Sequence, residues 1–150
     1  MSILFFKKGV FYMKCAFFGN RDAPSSIKPR LGEAIFNLIS NGVHEFYVGN
    51  NGNFDLIVQN TLLNMIEKGE RLKLRIVLSR IGEIALSKYQ EYTIFPEGQE
   101  EALPKFAISK RNEWIINKAD ILIVYSRNSF SNTWKIIKKA ETKGKRIIKL

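Results

Sequence analysis

The stretch Phe46-Tyr47-Val48-Gly49-Asn50-Asn51-Gly52-Asn53-Phe54-Asp55 decides the fold. An aromatic and β-branched run stops at Gly49, amides and glycine follow, and apolar periodicity resumes near Asp55. This layout predicts a strand-to-helix turn of an α/β sheet, with Asn53 or Asp55 placed to cap the helix. Gly49 and Gly52 permit positive φ, so backbone N–H groups can converge on an anion at the positive end of that helix. The same residues also fit a turn whose amides cap and do nothing else.

Two more junctions of this kind lie upstream and downstream. Lys14 to Gly19 is a short apolar run ended by glycine and followed by the polar turn Asn20-Arg21-Asp22-Ala23-Pro24. The buried run Ile121-Leu122-Ile123-Val124-Tyr125 leads into residues 126–132, rich in serine and asparagine. Between and beyond them the chain alternates. Ile27, Leu31, Ala34, Ile35, Leu38 and Ile39 share one helical face, with Ser25 or Ser26 as cap, Pro29 in the first turn and Asn41-Gly42 at the end. A helix over 53–68 precedes a strand over 72–78, whose outward Lys73 and Arg75 place it near a sheet edge. Residues 81–87 form a loop or short helix, and Thr93-Ile94-Phe95 a short strand stopped by Pro96-Glu97-Gly98. Helix follows Pro104, with Phe106, Trp114, Ile115 and Ala119 expected in the core. The chain closes with a helix over 133–143, carrying Trp134, Ile137 and Ala140 inward, and a strand over 146–150. Such alternation predicts a parallel sheet covered by helices on both faces.

Bulk composition narrows the function. The net charge of +10 favours anionic partners such as nucleotides, nucleic acid or anionic lipid, and equally fits a lysine-rich surface. With one cysteine, Cys15, and one histidine, His44, the usual zinc sites cannot be built, and no metal or cofactor is expected. Burial in a strand disfavours Cys15 as a nucleophile, and His44 suits a surface or packing role. The apolar residues 3–6 stop at Lys7-Lys8, too short for a membrane span and wrongly flanked for a signal peptide, so a cytoplasmic protein without a membrane partner is expected. Residues 1–12 fit an extension, an extra strand or an upstream start, and residues 13–150 a single domain. No Gly-x-Gly-x-x-Gly follows the first strand and no Walker sequence is present, which disfavours a nicotinamide dehydrogenase or P-loop NTPase.

Ligands of open parallel sheets bind beyond the C-terminal strand ends. The candidate binding residues are therefore Gly19, Asn20, Arg21 and Asp22; Gly49, Asn50, Asn51, Gly52 and Asp55; Glu97; Arg111 and Asn112; and Ser129, Ser131 and Asn132. Arg21, Arg111 and Arg127 offer guanidinium forks for phosphate or carboxylate, unless Arg111 pairs with Glu113 at the surface. Asp22, Asp55 and Glu97 would accept from ribose hydroxyls or exocyclic amines, although turn and cap roles serve Asp22 and Asp55 as well.

Taken in order, Phe18-Gly19-Asn20-Arg21-Asp22, the stretch from Phe46 to Asp55, Phe95-Pro96-Glu97-Gly98, and Phe106 to Ile116 resemble a family of small bacterial and phage proteins over residues 13–150. These are Rossmann-like members of the SLOG superfamily, which groups DprA-like proteins with the LONELY GUY (lysine-decarboxylase-like) enzymes. The resemblance implies a three-layer Rossmann-like α/β fold, with a mostly parallel sheet of about five strands and helices on both faces. It implies a nucleotide-derived ligand in the crevice, nucleotide sensing or processing that includes defence against phage, and pairing into a homodimer. The chain departs from the pattern at Asn20, where members often carry histidine, and at Ser131-Asn132, where a Gly-Gly pair is common. Arg111 matches an arginine kept by the related phosphoribohydrolases, but residues 126–135 lack the acid that accompanies it there. Binding of a nucleotide or nucleotide-derived signal is thus favoured over an N-glycosidase acting on nucleoside 5′-monophosphates, and over single-stranded nucleic acid binding.

Overall fold

The structure, a computed structural model, describes residues 13–83 and 90–150. The expectations for residues 1–12, and for the end of the loop over 81–87, lie outside the described residues. Among the described residues six strands form one sheet: β1 (Lys14–Gly19), β2 (Glu45–Val48), β3 (Lys73–Val77), β4 (Thr93–Ile94), β5 (Ile121–Tyr125) and β6 (Arg146–Lys149). Their order is β4-β3-β2-β1-β5-β6, and all five pairings are parallel. The expected sheet of about five strands therefore gains one. The short strand expected over Thr93-Ile94-Phe95 is β4, two residues long, which pairs Ile76 with Thr93 and Val77 with Ile94. It places β3 second from the edge.

Period-two alternation sorts the strand side chains into two cores, as a sheet covered on both faces requires. Cys15, Phe17, Phe46, Val48, Leu74, Ile76, Ile121 and Ile123 pack under α1 (Lys28–Ser40) and α2 (Asn53–Glu67). Ala16, Phe18, Tyr47, Val77, Leu122 and Val124 pack under α3 (Ala107–Lys118) and α4 (Asn132–Thr142). Burial pushes the Cys15 thiol far up, so it is inert packing. His44 is exposed, its Nδ1 3.2 Å from the Arg71 carbonyl.

Helix ends correct several expectations. Neither Ser25 nor Ser26 caps α1: a 3-10 turn, Ser25–Ile27, starts behind Pro24 and runs into the helix with no side-chain cap. Gly52, at φ 96°, holds the N-cap position of α2, so Asn53 and Asp55 are free for other bonds. Ser131 is a true cap, accepting the Trp134 N–H at 3.1 Å at the start of α4. Phe106 is 52% exposed rather than core, because it belongs to the 3-10 turn before α3 and not to the helix face that meets the sheet.

Chain order places the candidate site. The strands after β1 add on one side as far as β4, and β5 then returns to pair with β1 on the other. The strand order thus reverses between β1 and β5, where open α/β sheets form a crevice at the carboxyl ends.

Candidate anion-binding cleft

A cleft of about 560 Å³ opens at this reversal point, a size typical of small-molecule sites. Its floor carries Gly19 at the end of β1, Asn20 and Arg21 after it, and Asn51 and Asp55 after β2. One wall is α3, through Ile108, Ser109, Arg111, Asn112, Glu113 and Ile116; the other is α4, through Asn132, Thr133, Lys135, Ile136 and Lys139.

Arg111 is the central group. It lies one turn into α3 on the side facing the sheet and is only 2% exposed. Its Nε donates to Asn112 Oδ1 at 2.9 Å, Nη1 to Asn50 Oδ1 at 3.1 Å and to the Val77 carbonyl at 2.9 Å, and Nη2 to Asn51 Oδ1 at 2.8 Å. All four acceptors are neutral. A guanidinium has five N–H groups, so one on Nη2 has no acceptor among the described residues. Burial lowers the Arg111 pKa, against the opposing charges of Asp55 and Glu83; an arginine nevertheless stays protonated.

Gly49 permits this approach. A Cβ there would fall 2.9 Å from Arg111 Cζ and 3.0 Å from Asp55 Oδ2. Its carbonyl accepts from Gln59 Nε2 at 2.8 Å, which ties the turn to α2. Asp55, 8% exposed, accepts the Asn51 N–H on Oδ2 at 2.9 Å. Burial pushes its carboxyl up to about 6, with the Asn51 N–H, Arg111 and Arg21 pulling the other way. Glu83, whose charge also acts on Arg111, accepts the Ser79 N–H and hydroxyl and the Arg80 N–H at 3.1, 2.8 and 2.9 Å. Its burial is outweighed by these donors and the Asn50 amide, and its pKa falls below the usual carboxylate range.

The remaining expected site residues divide. Gly52 packs against Arg21, and Asn53 donates its N–H to the Arg21 carbonyl at 2.8 Å, so the first and second junctions are joined. Asn20 Oδ1 accepts the Arg127 N–H at 2.8 Å, joining the first to the third. Asp22 does not line the cleft; it forms an exposed ion pair with Arg127 at 3.0 Å. Ser129 lines a separate hollow of about 290 Å³ with Ser126, Arg127 and Trp134. Glu97 is exposed on a turn, and the motif around it serves instead to bury Gln99, whose Nε2 donates to the Ser79 and Ala107 carbonyls at 3.0 and 2.8 Å.

Sequence reasoning passed over Lys105, Ser109, Lys135 and Lys139, which line the cleft. Their signal was present in the helical spacing of 132, 135, 136 and 139, and of 105, 109, 112 and 116. Trp114 and Trp134 are half-buried: Trp114 meets Tyr47 edge-on at 5.9 Å, and Trp134 carries Lys138 and Lys149 over its ring. Among the described residues no helix is long and apolar enough to cross a membrane, and no cluster of three or more His, Cys, Asp and Glu residues could hold a metal ion.

No protein-family model matches the sequence, and no curated protein matches it. The fold is similar to the X-ray structure of DNA processing protein A (DprA) from Streptococcus pneumoniae, with a TM-score of 0.67, 17% sequence identity, and coverage of 93% of this chain and 50% of that one. This chain thus spans about half the length of that protein, and at this identity the likeness is one of fold: a DprA-like, Rossmann-like parallel α/β sheet.

Proposed function

We propose that the cleft binds a phosphorylated, nucleotide-derived small molecule, as a sensor or sequestering module of SLOG type. The observation that carries this reading is Arg111: a buried guanidinium in the wall of an open cleft that, among the described residues, is bonded only to neutral oxygens and has one N–H left over. A buried charge without a direct counter-ion is costly in a folded protein. An anionic ligand would relieve that cost. The lining supports the same reading, with Arg21, Lys105, Arg111, Lys135 and Lys139 against the carboxylates Asp55 and Glu113. Phe18, Ile108, Ile116 and Ile136 add an apolar flank on which a base could rest, among asparagine amides that accept and donate.

Turnover has weaker support. Asp55 is the buried carboxyl of the cleft, while Glu113 is exposed and paired with Lys139 at 3.3 Å. Hydrolysis of a glycosidic bond calls for a positioned acid or base together with charge stabilisation. Release of free base from a nucleoside 5′-monophosphate would establish the N-glycosidase reading.

Thermal-shift and calorimetric titration with mono-, di- and cyclic nucleotides and ADP-ribose tests the binding reading. Stabilisation by at least one probe, weakened in the surface variants Arg21→Ala and Lys135→Ala, is expected. No response to any probe would refute it.

A second reading, single-stranded nucleic acid binding, draws on the net charge of +10 and on the likeness to a DNA processing protein. It requires affinity for oligonucleotides that falls steeply with salt; the absence of binding at low salt eliminates it.

A further inference from the structure

Anion binding at Arg111 does not by itself account for Asp55. A carboxylate is an unfavourable neighbour for a phosphate, yet this one lines the same cleft and brackets Gly49 with the guanidinium. Its Oδ2 takes the Asn51 N–H while the Asn51 Oδ1 takes an Arg111 N–H, so carboxyl, amide and guanidinium form one unit. The Asn51 N–H bonds the carboxyl at Oδ2.

The charged groups acting on Asp55 are Arg111 from α3 and Arg21 from the β1–α1 loop; Glu83 acts in turn on Arg111. Lys105, Glu113, Lys135 and Lys139 line the rest of the cleft. The two arginines favour an ionised Asp55, and burial favours a neutral one. An anion seated on the arginines would cancel their field and leave only the Asn51 N–H to oppose burial.

We propose that the ligand enters together with a proton, held on Asp55 and donated to one phosphoryl oxygen while Arg111 donates to another. This rests on the reading of the cleft as a phosphate site and deepens it. Asp55 then determines specificity, selecting an oxyanion with two acceptor oxygens on one phosphorus. The proton comes from solvent, the only bond formed is the carboxyl O–H, and release of the ligand returns the proton.

Calorimetry of the full chain in two buffers of different ionisation enthalpy tests this, with 3′,5′-cyclic AMP and ADP-ribose as probes because their phosphates do not titrate near neutrality. Wild type is expected to take up close to one proton per ligand just above neutral pH, and to lose roughly tenfold in affinity for each further pH unit. Asp55→Asn is expected to bind with no proton uptake and no such pH dependence. Carboxyl ¹³C titration of wild type, free and saturated, gives the same answer without a variant: the Asp55 transition must move upward on binding. Binding without proton uptake, uptake unchanged in Asp55→Asn, or an unmoved carboxyl transition would overturn the proposal and leave the phosphate site standing. No binding of either probe would overturn the proposal, and the phosphate-site reading too if no other nucleotide binds.

Discussion

Arg111 Nη2 meets Asn51 Oδ1 at 2.8 Å across 60 residues of sequence. This bond fastens α3 to the turn after β2 and fixes the geometry of the cleft floor. Because the same guanidinium also holds Asn50, Asn112 and the Val77 carbonyl, its removal leaves several acceptors without a donor. An unsatisfied buried polar group costs about 1–3 kcal/mol. Arg111→Ala should therefore lose roughly 3 kcal/mol of stability in urea denaturation, and Arg111→Lys nearly as much, since a point-like ammonium cannot span the four acceptors. A loss below about 1 kcal/mol would show that water replaces the arginine without penalty.

Asp55 makes stability depend on pH in a stated direction. Its carboxyl titrates at about 6 when folded, against 3.8 ordinarily. Between those values the folded protein holds a proton that the unfolded chain has released, so stability falls as pH rises through this window. The contribution is intact below the lower value and fully lost above the upper one, an effect on the order of 3 kcal/mol. Asp55→Asn should gain on the order of 1–3 kcal/mol over wild type at mildly alkaline pH and nothing in acid. Denaturation midpoints measured across pH check this; equal gains at both ends would be inconsistent with it.

Gly19 is held to glycine by Phe54. A Cβ at this position would fall 2.2 Å from the Phe54 Cγ, a separation that side-chain atoms do not tolerate. Gly19→Ala is expected to cost about 1–3 kcal/mol through overpacking. Adding Phe54→Leu should recover part of that loss, and a double-mutant cycle would reveal the coupling.

Gly52 is constrained twice. Its φ of 96° disfavours any side chain, and a Cβ would lie 2.8 Å from the Arg21 Cα. Gly52→Ala should lower the melting temperature by on the order of 4 °C and weaken whatever the cleft binds, because the joint between the first two junctions is displaced. An unchanged melting temperature would show that the turn relaxes freely.

Phe130 provides the contrast. It is 90% exposed at the tip of the loop between β5 and α4. Phe130→Ser should leave stability within about 0.5 kcal/mol of wild type. A selective loss of single-strand affinity in this variant would favour the nucleic-acid reading, since exposed aromatics serve as stacking platforms for bases.

Most elements were legible because their signals are local. Runs such as Ile121 to Tyr125 and the helical face of Leu31, Ile35 and Leu38 encode period and burial directly. Caps were less legible. Ser25, Ser26, Asn53 and Asp55 all have capping chemistry, and which of them caps depends on where the preceding loop arrives. Glu97 illustrates the same gap at the site: a carboxylate in a polar turn carries no mark of whether it faces a cleft or bulk water.

The sequence by itself determined the alternating α/β pattern, the three polar junctions and the excess of positive charge, because these follow from side-chain period, turn chemistry and counting. Tertiary structure alone decided the strand order, the reversal between β1 and β5, and the meeting of Arg111 with Asn50 and Asn51. The physical reason is that burial and hydrogen-bond partnership are properties of pairs of groups distant in the chain. The residue type and position of Arg111 suggest a guanidinium for an anion, but only the fold closes a sheet carbonyl, two amides and a glycine around it.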